Sequence, residues 1–374
     1  MELFQTIFVY TAVLFFMFFL GHIAVMRDYS ASISGKHVSN FFRIEILLLL
    51  LVFSVIFGMR YDVGQDHLNY LSDYLSLSVD RYEPIFKNIT ILLRENNIHY
   101  SVYFFLWAFI QVFFLYYTFK NEKFLYPYIA FVLFAGQYFM AWMNTIRQDI
   151  AGCIFLFSTI YIFRKKPMYY LLCCIMALGF HNSAVLLIPF YWILYRNYDF
   201  FNSKLLQYSI TLFCSFVALS KVDYTQYITP VVDFFLSSFS TYSTYSLYSI
   251  EYFAELTKAG GGISIICQIL IDFVIIMYSS KLKAEFADKR IIIFYNLYFF
   301  GTSIQTLFIN NLLFSRPFRC FRIFKLVISA YLLYYLCTHL NSKNLFYLII
   351  LLLLHTILFM AQIKYVPFTF YWQV

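Results

Sequence analysis

The 374 residues are 62% hydrophobic and 12% charged, about half the ~25% charge of a soluble domain. That balance excludes a soluble enzyme and predicts an all-α, polytopic transmembrane helix bundle forming a single integral domain over 1–374. The formal net charge of +8 is what basic loops on one membrane face produce, and nucleic acid is not an expected partner.

Apolar segments at 4–26, 42–58, 100–119, 124–143, 149–163, 168–180, 183–195, 205–220, 263–280, 291–309, 321–338 and 345–363 predict about twelve spans, a full crossing needing ~20 residues. Long Leu, Ile and Phe runs without alternation favour helices over a barrel. The first segment is too long for a signal-peptide core and is expected to remain as a span. Segments 168–180 and 183–195 are short. They predict tilted helices or a re-entrant hairpin with "GFHNSA" at its tip. Lys120, Lys123, Arg164, Lys165, Lys166, Lys281, Lys283 and Lys343 fall in connections expected to face the cytoplasm. Two larger loops, about 59–99 and 221–262, are then extracytoplasmic.

The first polar cluster, "FGMRYDVGQDHLNYLSDY" (57–74), follows a greasy run. Gly64 permits a tight turn between Asp62 and Asp66, with Arg60 at the membrane boundary, where charges are costly unless paired or functional. The plain alternative is an Arg60–Asp62 or Arg60–Asp66 ion pair that ties down the loop. In "MNTIRQDIAGC", Asn144, Arg147 and Gln148 share one face if the turn is helical. Arg147 is a permanently charged fork suited to phosphate, or else a headgroup anchor. His181, at the tip of the short hairpin, is a candidate base at neutral pH or a structural imidazole.

In the second long loop, Tyr242, Tyr245, Tyr248 and Tyr252 form a stripe that suits an interfacial aromatic belt better than a sugar platform. Asp272 is an acid inside a span with no partner evident from sequence. In "NNLLFSRPFRCFRIFK", Arg316, Arg319, Arg322 and Lys325 recur every three residues along an incipient helix. Four cations running into the outer leaflet oppose the positive-inside rule and call for an anion such as a diphosphate; an inverted local topology is the alternative. The seven cysteines lie mostly inside apolar runs without CxxC or Cys/His spacing, so neither disulfides nor a metal site is expected. No cofactor is expected.

In order, "FGMRYDVGQDHLNY", "EPIF" at 83–86, "NTIRQDIAG", "GFHNSAVLLIPFY" and Arg316 of "FSRPF" resemble the EpsG-type family of Wzy-like polysaccharide polymerases of O-antigen, capsule and exopolysaccharide assembly. The similarity spans about 50–325. Its specific parts are Arg60, Gly64, Asp66 and Tyr70, the Arg147–Gln148 pair and the Phe180–His181 pair; the loop at 221–262 has no match. The resemblance implies a glycosyltransferase-type enzyme on the outer face of the bacterial cytoplasmic membrane, joining oligosaccharide repeat units carried on undecaprenyl diphosphate. It implies membrane lipid, a flippase and a chain-length regulator as partners. Arg147, Arg316 and Arg60 are then expected to bind diphosphate, Arg147 catalytically, with Gln148 and Arg319 beside them. His181 or Asp66 would be the base, and Tyr70 and Glu83 would contact sugar. Two other readings stay open: a single-sugar, polyprenyl-phosphate-dependent glycosyltransferase, and a flippase or transporter of the lipid-linked unit.

Overall fold

A computed structural model describes residues 2–33, 40–220, 262–287 and 290–374. The helices are α1 (Glu2–Ile33), α2 (Ile44–Gly58), α3 (His67–Ser76), α4 (Pro84–Glu95), α5 (Tyr100–Thr118), α6 (Tyr126–Ala135), α7 (Tyr138–Asn144), α8 (Ile146–Phe163), α9 (Pro167–Leu178), α10 (Phe190–Leu194), α11 (Lys204–Ser220), α12 (Gly262–Glu285), α13 (Ile291–Leu307), α14 (Arg322–Thr338) and α15 (Ser342–Tyr365). Short 3-10 turns at Asn182–Leu187 and Arg316–Phe321 precede α10 and α14.

The chain is a multi-pass membrane protein. Among the described residues six helices are long and apolar enough to cross a membrane, seven if the bent α6–α7 pair counts as one span, and the rest of the expected twelve segments are shorter apolar helices. The segment expected at 124–143 is broken. Its halves bend by 66° at Gly136–Gln137, where Gln137 takes φ +69° and its side-chain amide donates to the Leu358 carbonyl at 2.9 Å. The 168–195 region is a hairpin of α9 and the 3-10 turn leading into α10, with His181 between them. Most of the second long loop, including the tyrosine stripe, lies outside the described residues.

Consecutive spans alternate in direction, so the bundle has two ends. At one, buried and half-buried charges clamp helix to helix: Arg43 pairs with Asp28 at 2.9 Å, Lys123 with the same carboxylate at 2.9 Å, and Arg290 reaches the Thr118 carbonyl at 2.8 Å and Glu122. An unmade hydrogen bond is expensive inside lipid, so such pairs fix helix neighbours.

The other end carries α3, α4, the hairpin tip and the C-terminal segment. α4 starts at Pro84, whose missing N–H is no loss in a first turn. The apolar side of this lid is aromatic: Phe86 stacks on Trp107 and Tyr74 on Tyr103, each pair with centroids 4.4 Å apart. The C-terminal segment returns to the end of α2. Tyr61 N–H donates to the Thr369 carbonyl at 2.9 Å, Tyr371 N–H to Met59 at 3.0 Å, and Phe368 N–H to Thr6 Oγ1 at 2.8 Å.

The fold supplies the partners of two charges that the sequence left open. Arg60 pairs with neither Asp62 nor Asp66. It is 2% exposed, donates to the Phe57 and Met143 carbonyls at 3.1 Å each, and lies over the Phe104 ring; burial turns it toward backbone oxygens. Asp272 does have partners: Lys325 Nζ at 2.8 Å and the Tyr298 hydroxyl at 2.8 Å.

Candidate functional site

Four turns meet at the end of the bundle that carries α3 and α4. The first is the turn into α3. Gly64 takes φ +97°, and a Cβ there would stand 2.2 Å from Asn144 Oδ1, so only glycine lets this turn pack against the end of α7. Asp66 follows as the N-terminal flanking residue of α3 without a side-chain capping bond. Its carboxylate is half-buried and its charge reaches Tyr70 and Arg319.

The second turn is Tyr82–Glu83, held in place by Tyr82, whose hydroxyl donates to Asp73. Glu83 is 6% exposed. One oxygen accepts from Arg147 Nη1, the other from Asn182 N–H at 3.1 Å. The Ile85 and Phe86 N–H groups donate to the Gly179 carbonyl at 2.9 and 3.2 Å. The start of α4 is thereby stitched to the hairpin tip.

The third turn is the α7–α8 junction. The helix breaks at Thr145, so Asn144 ends one helix while Arg147 and Gln148 open the next. Their side chains diverge. Arg147 goes to Glu83, lies within electrostatic reach of Tyr70 and sits over the Tyr82 ring at 4.6 Å. Gln148, 4% exposed, donates to Ser183 Oγ at 3.3 Å and to the Arg316 carbonyl. Asp149 accepts from Thr145 Oγ1.

The fourth is the hairpin tip. Ser183 N–H donates to His181 Nδ1 at 3.2 Å, with Ser183 Oγ 2.8 Å from the same nitrogen. A backbone N–H can only donate, so Nδ1 is an acceptor and the neutral ring carries its proton on Nε2. Burial pushes the imidazole down to about 4, which keeps it neutral at pH 7. His181 thus presents an Nε2–H donor. The charges of Glu83, Arg147, Arg316 and Arg319 all reach the His181 ring.

Arg316 and Arg319 sit on the 3-10 turn 316–321, where residues three apart eclipse, so the spacing of three aligns them. The turn packs closely on α13: a Cβ at Gly301 would lie 2.3 Å from Phe321 Cβ.

Asp66, Tyr70, Glu83, Arg147, Gln148, His181, Arg316 and Arg319 therefore converge, across 250 positions of sequence, at one end of the bundle. Arg60 stands behind them as backbone support. Ser183 and Tyr82 were missed; each lies within two residues of a chosen one, but neither hydroxyl had a legible partner. Among the described residues no three His, Cys, Asp or Glu side chains group as a metal site.

The model of the family described as "EpsG family" matches residues 43–373, nearly the whole chain. No curated protein and no solved structure matches it significantly.

Proposed function

We propose, from the premise that the chain belongs to the EpsG family, that it joins oligosaccharide repeat units carried on undecaprenyl diphosphate into a surface polysaccharide. Membership supports a polysaccharide-polymerase role in general. The finer reading places the reaction on the outer face of a bacterial cytoplasmic membrane, with a flippase supplying substrate and a chain-length regulator as a partner. The observation that carries it is the convergence of a carboxylate with no capping bond, an Nε2–H imidazole and three arginines at one end of a membrane bundle.

Glycosyl transfer from a lipid diphosphate needs those groups. Asp66 takes the proton from the acceptor hydroxyl. The oxygen forms its bond to the anomeric carbon of the donor as the carbon–oxygen bond to the diphosphate breaks, its electron pair leaving with the phosphate oxygen. Arg316 and Arg319 offset the charge that develops there, and the His181 Nε2–H donates to it. Positioned general bases contribute about 10²–10⁴-fold, and one preorganised donor about 10²–10³-fold. Arg147, held by Glu83 and the Tyr82 ring, shapes the sugar side, where Tyr70 and Glu83 lie. Gln148 keeps the hairpin tip and the arginine turn in register.

The transporter reading needs polar groups spread through the midplane. Asp272, the intramembrane acid that favoured it, is closed into a pair with Lys325, which supports the polymerase instead.

Deleting the gene in its host and complementing with wild type, Asp66→Asn or Arg147→Ala tests the proposal. A polysaccharide ladder that collapses to one repeat unit and returns only with wild type supports polymerisation. An unchanged ladder overturns it in favour of single-sugar transfer, and loss of every surface unit in favour of export.

A further inference from the structure

The 3-10 turn Arg316–Phe321 runs for six residues, and 3-10 stretches beyond about three or four are uncommon because their hydrogen bonds are poorly aligned. It leads straight into α14, so an α-helical continuation is the ready alternative. The difference matters to the arginines. At three residues per turn Arg316 and Arg319 eclipse, whereas at 3.6 they stand about 60° apart. The tighter form needs support from outside the turn.

That support comes from two sides. On the polar side, Gln148 of α8 donates its side-chain amide to the Arg316 carbonyl, and Gln305 of α13 donates to the Phe318 carbonyl at 2.8 Å. The second carbonyl belongs to the peptide unit that carries the Arg319 N–H. On the apolar side, Phe321 is 1% exposed and sits among the rings of Phe155, Phe190 and Phe300 at centroid distances of 5.5, 5.0 and 5.4 Å. A Cβ on Gly152 would stand 3.3 Å from Cys320 Cα, so α8 lies directly against the turn. Apolar contacts are non-directional and set how deep the turn sits. The two amides are directional and set its rotation.

We infer that Gln305 is a positioning residue for the transfer reaction: together with Gln148 it clamps the turn in its 3-10 form and so keeps Arg319 in line with Arg316. Gln148 fixes the first peptide unit of the turn and Gln305 the one before Arg319. The inference rests on the polymerase reading for the reaction that the arginines serve, while the clamp itself stands on the two hydrogen bonds.

Two measurements on the full chain in detergent test it. The first reads the clamp without turnover. Hydrogen exchange followed by mass spectrometry should show faster exchange across 316–322 in Gln305→Met than in wild type with the hairpin tip 181–187 unchanged, whereas Gln148→Met should speed both. Exchange across 316–322 that stays at the wild-type rate in Gln305→Met overturns the clamp. The second reads its consequence, with lipid-linked repeat unit extracted from a host lacking the gene as substrate. Gln305→Met should lower kcat about 10- to 100-fold, the scale of a misplacement of about an ångström. The same factor should appear in an Asp66→Asn background and vanish in an Arg319→Gln background, where the arginine being positioned is gone. A full further loss on top of Arg319→Gln overturns the positioning role, because a general structural defect slows every background alike. If Gln305→Met lowers the unfolding midpoint, Gln305→Asn, polar but a methylene short of the carbonyl, carries the same cycle. Wild type that forms no polymer while exchange responds as expected counts against the polymerase reading and supports the clamp.

Discussion

Glu83 holds Arg147 through one carboxylate oxygen and the backbone of Asn182 through the other. A single side chain thus sets the distance between the first turn of α8 and the tip of the α9 hairpin. The Arg147 guanidinium in turn lies over the Tyr82 ring at 4.6 Å, so the pair is packed as well as charged.

Glu83→Gln leaves the guanidinium without its counter-ion in a largely enclosed place. Removing one partner of a buried pair costs about 3–5 kcal/mol. The lower end is expected here, because Arg147 keeps its place over the Tyr82 ring. Thermal unfolding of Glu83→Gln, Arg147→Gln and the double variant checks this: the double variant should lose less than the sum of the singles. Additive losses would show that the pair is not coupled.

Asp66→Asn should be a different kind of variant. Its carboxylate makes no capping bond, so the unfolding midpoint should stay within a degree or two while the polymerisation rate falls about 10²–10⁴-fold. Polymer formation from a purified lipid-linked repeat unit, alongside thermal unfolding, separates the two. Wild-type rates in Asp66→Asn would return the base role to His181.

The tautomer of His181 predicts a rank order. Glutamine can present an N–H near the position of Nε2, so His181→Gln should retain more activity than His181→Phe. If Phe retains as much as Gln, the donor role is lost.

Two imidazoles give the protein an acid limb. Burial holds His181 down to about 4 and His67 down to about 3, both below the ordinary value near 6.5. Between 6.5 and those values the unfolded chain binds protons that the folded one refuses, so stability falls as pH drops through that window. The slope is about 1.4 kcal/mol per pH unit for each group. His67→Gln or His181→Gln should each flatten the pH dependence of unfolding between pH 6 and 4; an unchanged slope would show that the histidine titrates alike in both states.

Gly64→Ala should destabilise through both its φ of +97° and the 2.2 Å approach to Asn144 Oδ1. About 1–3 kcal/mol is expected from the backbone alone. Adding Asn144→Ala should recover the contact part and leave the backbone part. Full recovery would place the whole cost in the contact.

Much of this molecule was legible in its sequence because lipid leaves little choice. Backbone groups must be satisfied within each segment, so the apolar runs announced their helices, and Gly64 marked a tight turn by local chemistry alone; the helix that starts at Pro84 lies in a stretch whose sequence reads as a loop. The polar clusters were visible for the same reason: an arginine or aspartate at a span boundary stands out against hydrocarbon.

What those clusters hold was decided by tertiary packing. The partners of Glu83, Gln148 and Asp272 lie 64, 168 and 53 residues away, and no local period encodes a distance of that kind. Arg60 and Arg147 are the same residue type at similar span boundaries. Yet Arg60 was turned inward to two carbonyls and Arg147 outward to a carboxylate, because α3 and the C-terminal segment close over one and the start of α4 over the other. The sequence by itself determined which residues carry charge into the bundle; only the fold, by packing distant segments together, decided which partners answer those charges.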